Sequence, residues 1–228
     1  MNEKEFLEDY KKNEVSKYPK PSVTADVCIC RFDENKLKVL LIKRGGHPFK
    51  DCWAIPGGFS NPNESVDETA LRELQEETNI SGIPVHQLAT YSDPNRDPRH
   101  WVITVAYFAL VSPELLEKQD IKALDDAKEY AWFDILNLPE NLAFDHEKIL
   151  SDLKTRIRNG IDYRPFAFDL VNKKFTWSEL QAVYETITED RKYPASFRTK
   201  IKSMYQIKQT GEFKPTASNK AELLEFEK

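Results

Sequence analysis

GFSNPNESVDETALRELQEETNI, residues 58–80, decides how this chain is read. Ser65 followed three residues later by Glu68 forms a capping box, and Val66, Ala70 and Leu74 recur at i+4 as an apolar stripe, so a helix is expected from about 65 to 78. Asn79 can take the left-handed conformation that closes it. Glu73, Glu76 and Glu77 therefore fall in the last turn, where the helix dipole disfavours anions, and Glu73 and Glu77 repel each other at i+4. The three carboxylates project from one face, with Arg72 able to pair with Glu68 and Glu76. Such a face is either solvated or a site for hard divalent cations, whose charge outweighs both penalties.

Upstream, Gly57 and Gly58 introduce a polar loop that can approach this face. VTADVCICRF and KLKVLLIKR, separated by Asp33, Glu34 and Asn35, read as a β-hairpin, and CWAIPGGF as a short strand entering the glycine turn. VHQLATY, WVITVAYFALV and EYAWFDI read as three more strands. DHEKILSDLKTRIRNG reads as a helix with Asp145 as N-cap and Gly160 just past its end. A boundary is expected at 160–165, dividing the chain into an arm (1–21), a catalytic-type domain (22–160) and a small C-terminal domain (161–228).

The 228 residues carry a net charge of -5, with 40% hydrophobic and 31% charged residues, the balance of a soluble globular protein. No apolar run spans a membrane, and the N-terminal segment lacks a secretory core, so the expectation is a cytoplasmic protein with no membrane partner. Cys28, Cys30 and Cys52 are too few for a disulfide framework; Cys28 and Cys30 share one strand face and read as buried thiols. The histidines show no metal-ligand spacing.

Taken together, Gly58, Glu64, Arg72-Glu73, Leu74, Glu76-Glu77 and Asn79-Ile80 resemble the Nudix box, Asn79 standing where the last glycine is usual. The resemblance implies an α+β chain: the Nudix fold, a mixed sheet sandwiched between helices, followed by a small winged-helix domain. It implies Mg²⁺- or Mn²⁺-dependent hydrolysis of a nucleoside diphosphate derivative. By the same resemblance Glu73, Glu76 and Glu77, with the Gly57 carbonyl, would ligate the metal, and Glu64 and Arg72 would brace loop and helix. The general base would be Glu76 or Glu77, or an acid of the DDAKEY segment, Asp126 or Glu129.

YSDPNRDPRHWVITVAYFAL, KRGGHPFKDCWAIPGGF and LAFDH resemble the branch that holds ADP-ribose pyrophosphatases and the Nudix-related transcriptional regulators of NAD metabolism. That branch usually reads Asp-Pro-Arg-Gly-Arg; here Asp97, Pro98 and Arg99 are followed by His100 and Trp101. The resemblance implies a substrate site drawn from Arg44, Gly58, Arg99 and Trp101, with ADP-ribose split into AMP and ribose 5-phosphate. Trp101 is either a stacking face or a strand residue on the core.

Residues 164–228 hold twelve Lys and Arg against nine Asp and Glu, whereas the rest of the chain is acidic. TWSELQAVYETI reads as a helix capped by Thr176 and Glu179, PASFRTKIKSM as a second, and YQIKQTGEFK and AELLEFEK as a ribbon. In the second helix Phe197, Ile201 and Met204 form an apolar stripe, while Arg198 and Lys202 share another face. This order resembles the winged helix of the NAD regulators. It implies double-stranded DNA bound through Ser196, Arg198, Thr199 and Lys202, although Ser218, Asn219 and Lys220 stand where the regulators' wing carries Gly-Arg-Pro. A support for a homodimer is the other reading of this domain. The sequence thus favours a hydrolase; the rival is a regulator that senses ADP-ribose or another NAD metabolite.

Overall fold

The computed structural model describes residues 1–13, 17–124, 127–216 and 220–227. After a solvent-exposed helix α1 (Glu3–Asn13), the chain forms strand β1 (Ser22–Asp33) and turns into β2 (Lys36–Arg44). Glu34 and Asn35 both have positive φ, 52° and 56°, the conformation of the two-residue turn whose twist matches that of the flanking strands. Short strands β3 (Trp53–Ala54) and β4 (Gly57–Phe59) precede helix α2 (Val66–Thr78). Strands β5 (His86–Tyr91) and β6 (Val102–Val111), the single turn α3 (Pro113–Leu116) and strand β7 (Ala127–Asp134) follow.

These seven strands make one mixed sheet, in which β1 runs parallel to β6 from Ser22 opposite Val102 to Arg31 opposite Val111 and the other pairings are antiparallel. β1 is covered on both faces, which explains its nearly unbroken apolar run. Ala25, Val27 and Ile29 pack with Ala70 and Leu74 of α2, whereas Cys28 and Cys30 face the opposite layer. Both thiols are buried as expected, and burial pushes the Cys30 thiol up to about 12.

The opposite layer is built around helix α4 (His146–Gly160), followed by the turn α5 (Phe166–Asp169), strand β8 (Lys174–Phe175) and helices α6 (Trp177–Thr188) and α7 (Pro194–Met204). Strands β9 (Ile207–Pro215) and β10 (Lys220–Phe226) form the expected ribbon, and β8 joins it as a third strand. Ser218 and Asn219, named above for the wing, lie outside the described residues. Asp145 is the N-cap of α4 as expected, and the other end assignment differs. Asp145 caps with no side-chain hydrogen bond, and Gly160 is the helix's final residue rather than the one beyond it. The Asp145 carboxylate is engaged by Arg96 instead, and Gly160 is kept small because a Cβ there would run into the Phe166 ring.

Packing does not thin out at residues 160–165. A single hydrophobic cluster runs from Cys28, Leu41 and Phe108 of the sheet through Ile149, Leu153 and Ile157 of α4 to Leu180 and Tyr184 of α6 and Phe197 and Ile201 of α7. Lys154 and Arg158 also reach Glu189 across this joint, at 3.2 and 3.6 Å. Exposed ion pairs contribute about 0–1 kcal/mol each, against about 1.5–3 kcal/mol for each fully buried Leu, Ile or Phe. The joint is therefore held by its apolar core. Among the described residues, no helix is long and apolar enough to cross a membrane.

Candidate functional site

The capping box of α2 forms in both directions, Ser65 accepting from the Glu68 backbone and Glu68 from that of Ser65, and Asn79 closes the helix at φ 59°. Glu68 is thereby occupied, so Arg72 turns elsewhere. Its guanidinium meets Glu64 at 2.7 Å, Glu73 at 2.6 Å and Glu76 at 2.9 Å, and donates to the Phe59 carbonyl at 2.9 Å. One cation inside a ring of carboxylates offsets most of the like-charge repulsion expected in this turn. Glu64 also accepts from the Asn61 backbone and from Thr69. The hydrogen bond from Arg72 is the main reason that the Glu64 carboxyl is held down to about 2. Loop and helix are thus tied together through the Glu64–Arg72 pair.

Glu77 is buried, 5% exposed, and one carboxylate oxygen accepts from the Gly57 amide at 2.7 Å. Gly57 lies so close to β1 that a Cβ would collide with the Ala25 carbonyl, and a Cβ on Gly58 would sit 2.5 Å from the Glu73 carboxylate. Absence of side chains here lets the backbone reach the acids. Glu73, Glu77, Gly57 and Gly58 border one cavity of about 360 Å³, a size suited to a small-molecule ligand. Glu76 is not on its wall; its side chain is 49% exposed and held by Arg72. Among the described residues, no three His, Cys, Asp or Glu side chains are grouped as a metal centre. The oxygen donors of Glu73 and Glu77 on this wall suit a hard divalent cation, the kind of ion that Nudix hydrolases generally use.

The rest of the wall is rich in arginine: Arg44, Arg96 and Arg99 join Arg72 there. Arg99 makes a bidentate pair with Asp97, 2.7 Å at the shortest, and lies 4.8 Å from the Phe59 ring. Arg44 donates to the Pro48 carbonyl at 3.0 Å. Two further expected residues are not brought here. Trp101 is 43% exposed and off the cavity wall; it is neither core nor a stacking face in this cavity, because its place before β6 turns the ring to solvent. Glu129 lies on an exposed stretch of β7, where it pairs with Lys43 at 2.8 Å across the strands. Asp126 lies outside the described residues.

A buried polar cluster behind the arginines was not anticipated. Arg96 bonds Asp145 at 2.7 and 3.1 Å and stands 3.7 Å from Asp26, which accepts from the Thr104 hydroxyl at 2.6 Å. Burial pushes the Asp26 carboxyl up to about 6. Burial likewise drives His146 down to about 3, so its ring is neutral and accepts from the Ile55 amide through Nδ1 at 2.9 Å. Backbone bonds between Trp53 and both Asn141 and Ala143 pin the loop that presents Phe144, Asp145 and His146. The available signal was an acid inside an apolar strand, Asp26 in VTADVCICRF, and the Asp-His pair of LAFDH.

At the other end of the molecule, Phe197 and Ile201 bury one side of α7. Arg198 and Lys202 lie on the exposed side, both over the Trp177 ring, at 5.9 and 5.7 Å. Ser196 and Thr199 are exposed beside them, each hydroxyl returning to its own helix's carbonyls. Other cations of the region are committed: Lys200 to Asp162 and Lys214 to Glu179, both at 2.6 Å, and Lys192 to Asp190. Among the described residues, no carboxylate pairs with Arg198 or Lys202.

The NUDIX domain family model matches residues 20–153, and that of the NrtR DNA-binding winged helix domain matches residues 167–226. The chain is 32% identical over 228 residues to the ADPR responsive transcriptional repressor NtrR of Acinetobacter baylyi, covering 99% of this chain and 88% of the relative. It is 44% identical to an ADP-ribose pyrophosphatase of Methanocaldococcus jannaschii over 66% of this chain and 84% of that protein. The crystal structure of Shewanella oneidensis NrtR complexed with a 27mer DNA is similar over 90% of this chain and 93% of that one, at 30% identity and a TM-score of 0.77.

Proposed function

As the chain belongs to the Nudix family and ends in a winged-helix domain of the NrtR type, we propose that it is a DNA-binding regulator whose Nudix cavity takes ADP-ribose. The observation that carries this reading is the exposed face of α7. Arg198 and Lys202 keep their charge uncompensated by acids there, as a helix presented to phosphates and base edges requires. The relative that spans nearly the whole chain is named a repressor responsive to ADPR, which moves regulation ahead of turnover as the principal role. A homodimer would set two such helices on successive half-sites.

Hydrolysis is the second reading, favoured by the complete box with Glu73 and Glu77 on the cavity wall. A divalent cation, Mg²⁺ or Mn²⁺, bound there would neutralise the diphosphate oxygens and lower the pKa of an attacking water. Glu73, Glu77 and the Gly57 carbonyl would hold it, with Glu76 joining by giving up its contact to Arg72. Glu64 and Arg72 keep the glycine loop against the helix. Arg44 and Arg99 would orient the diphosphate, and the base would be Glu76 or Glu77.

Two measurements separate the readings. In mobility shifts on a duplex from the gene's own upstream region, ADP-ribose should change the affinity, and binding should weaken steeply with salt. No shift at low salt would sink the regulator reading. With Mg²⁺ or Mn²⁺, release of AMP from ADP-ribose that is lost in Glu77→Gln would establish turnover; equal rates in the variant would remove the metal assignment.

A further inference from the structure

The four arginines of the cavity differ in how their charge is met. Arg72 has Glu64, Glu73 and Glu76; Arg96 has Asp145 and Asp26; Arg99 has Asp97. Arg44 spends its Nε hydrogen on the Pro48 carbonyl, and among the described residues no carboxylate stands within ion-pair distance of its guanidinium. Asp26 is near enough to feel the Arg44 charge without pairing with it, and among the described residues the Arg44 Nη groups meet no protein acceptor, so they are open to an anion in the cavity.

What holds Arg44 in place is an aromatic ring. Its guanidinium lies 5.1 Å from the centre of Phe144, and that of Arg99 lies 5.6 Å from the same ring. Phe144 is itself braced by Phe49 at 4.8 Å and by His146 at 5.4 Å. Its φ is 52°, a left-handed conformation that disfavours a bulky side chain by roughly 1–2 kcal/mol. Glycine would serve the turn without that strain. The phenyl ring therefore does something that the turn alone does not need.

We propose that Phe144 is a positioning residue for anion recognition: its ring sets the Arg44 and Arg99 guanidinium groups side by side so that together they receive the diphosphate of the ligand. That the ligand is ADP-ribose rests on the reading above; the two-arginine diphosphate receptor does not. Nothing is transferred to Phe144; because its ring also lines the cavity, pyrophosphate, which offers nothing to stack, separates its effect on the arginines from direct contact with a larger ligand.

Calorimetric titration of the full chain with ADP-ribose and, separately, with inorganic pyrophosphate, both in the presence of a chelator, tests this. Phe144→Tyr keeps the π face and should bind both within about twofold of the wild type. Phe144→Leu retains bulk and loses the face; both affinities should fall about tenfold, the size expected of two cation–π contacts. In an Arg44→Gln background the same Leu substitution should cost only about threefold more, because one of the two contacts is already gone and only that to Arg99 remains. Phe144→Gly or Phe144→Leu binding as tightly as the wild type would overturn the proposal and leave the ADP-ribose reading intact. Should Phe144→Leu fail to fold, Arg44→Gln with unchanged pyrophosphate affinity would overturn it equally. Wild-type protein that binds pyrophosphate through Arg44 but not ADP-ribose would support the receptor and remove the ADP-ribose reading.

Discussion

The last turn of α2 and the exposed face of α7 are both short helical surfaces crowded with like charge, and they resolve it in opposite ways. On α2 the acids are cross-linked by the protein's own groups: Arg72 takes Glu64, Glu73 and Glu76, and the Gly57 amide takes Glu77. On α7 Arg198 and Lys202 rest on Trp177, an aromatic ring that orients a cation without neutralising it. The first surface is a shaped wall and the second an open charge. Arg44 over Phe144 repeats the second solution inside the first region. Within one molecule, therefore, the acids of α2 are met by the protein's own groups, whereas Arg198, Lys202 and Arg44 rest on aromatic rings, as the proposed ligand-binding roles require.

The largest perturbation would cut the core that joins the two surfaces. Ile157→Ala should cost about 2–5 kcal/mol. Because the cluster is continuous, urea unfolding followed by fluorescence should still show one transition that both halves share. Two separated transitions would break the comparison by making the halves independent. Next in size, Arg72→Ala should reduce any ADP-ribose hydrolysis about a hundredfold, the scale of loss from small misplacement of reacting groups, and expose α2's last turn to faster hydrogen exchange. An unaltered rate would mean that the carboxylates need no internal cation.

On α7, Arg198→Ala should weaken duplex binding about tenfold at moderate salt and lower the slope of log affinity against log salt by about one. A loss confined to one base position would instead show that the arginine reads a base edge. The smallest effect concerns pH. Glu64 is held below its ordinary 4.5, at about 2, by Arg72. Its contribution to stability is thus complete above pH 4.5 and lost as pH falls through about 2. Glu64→Gln should flatten the acid limb of a thermal-stability profile in that window and leave the neutral region's slope unchanged.

The legible features were those carried by local spacing. The capping boxes at Ser65 and Thr176, the left-handed Asn79 and the hairpin turn at Glu34 and Asn35 all depend on neighbours within four residues, and all form. Arg72's partners were only half legible. Glu76 followed from helical spacing, Glu64 came only through the family resemblance because it depends on how the loop folds back, Glu73 is the chain neighbour that spacing does not mark as a partner, and Glu68 was already engaged by its cap. Trp101 and Glu129 were misplaced for a related reason: composition marks a residue as useful, while the entry into a strand for Trp101, and the cross-strand register opposite Lys43 for Glu129, decide which way it points.

By itself the sequence determined the helix that carries the acids, its two caps, the long strands of the sheet and the charge division between the chain's two ends, because each is a matter of local conformational preference and periodicity. Only the tertiary structure decided that Asp26, Arg96, Asp145 and His146 form one buried polar cluster, that Arg44 stands over Phe144 with no carboxylate at ion-pair distance among the described residues, and that sheet, α4 and α7 share a core. Those relations join β1, the loop before β6 and the start of α4, segments that backbone pairing and burial bring together across more than a hundred residues of chain. Charge compensation at that range depends on burial and on the geometry of packing, and neither is written in the spacing of residues along the chain.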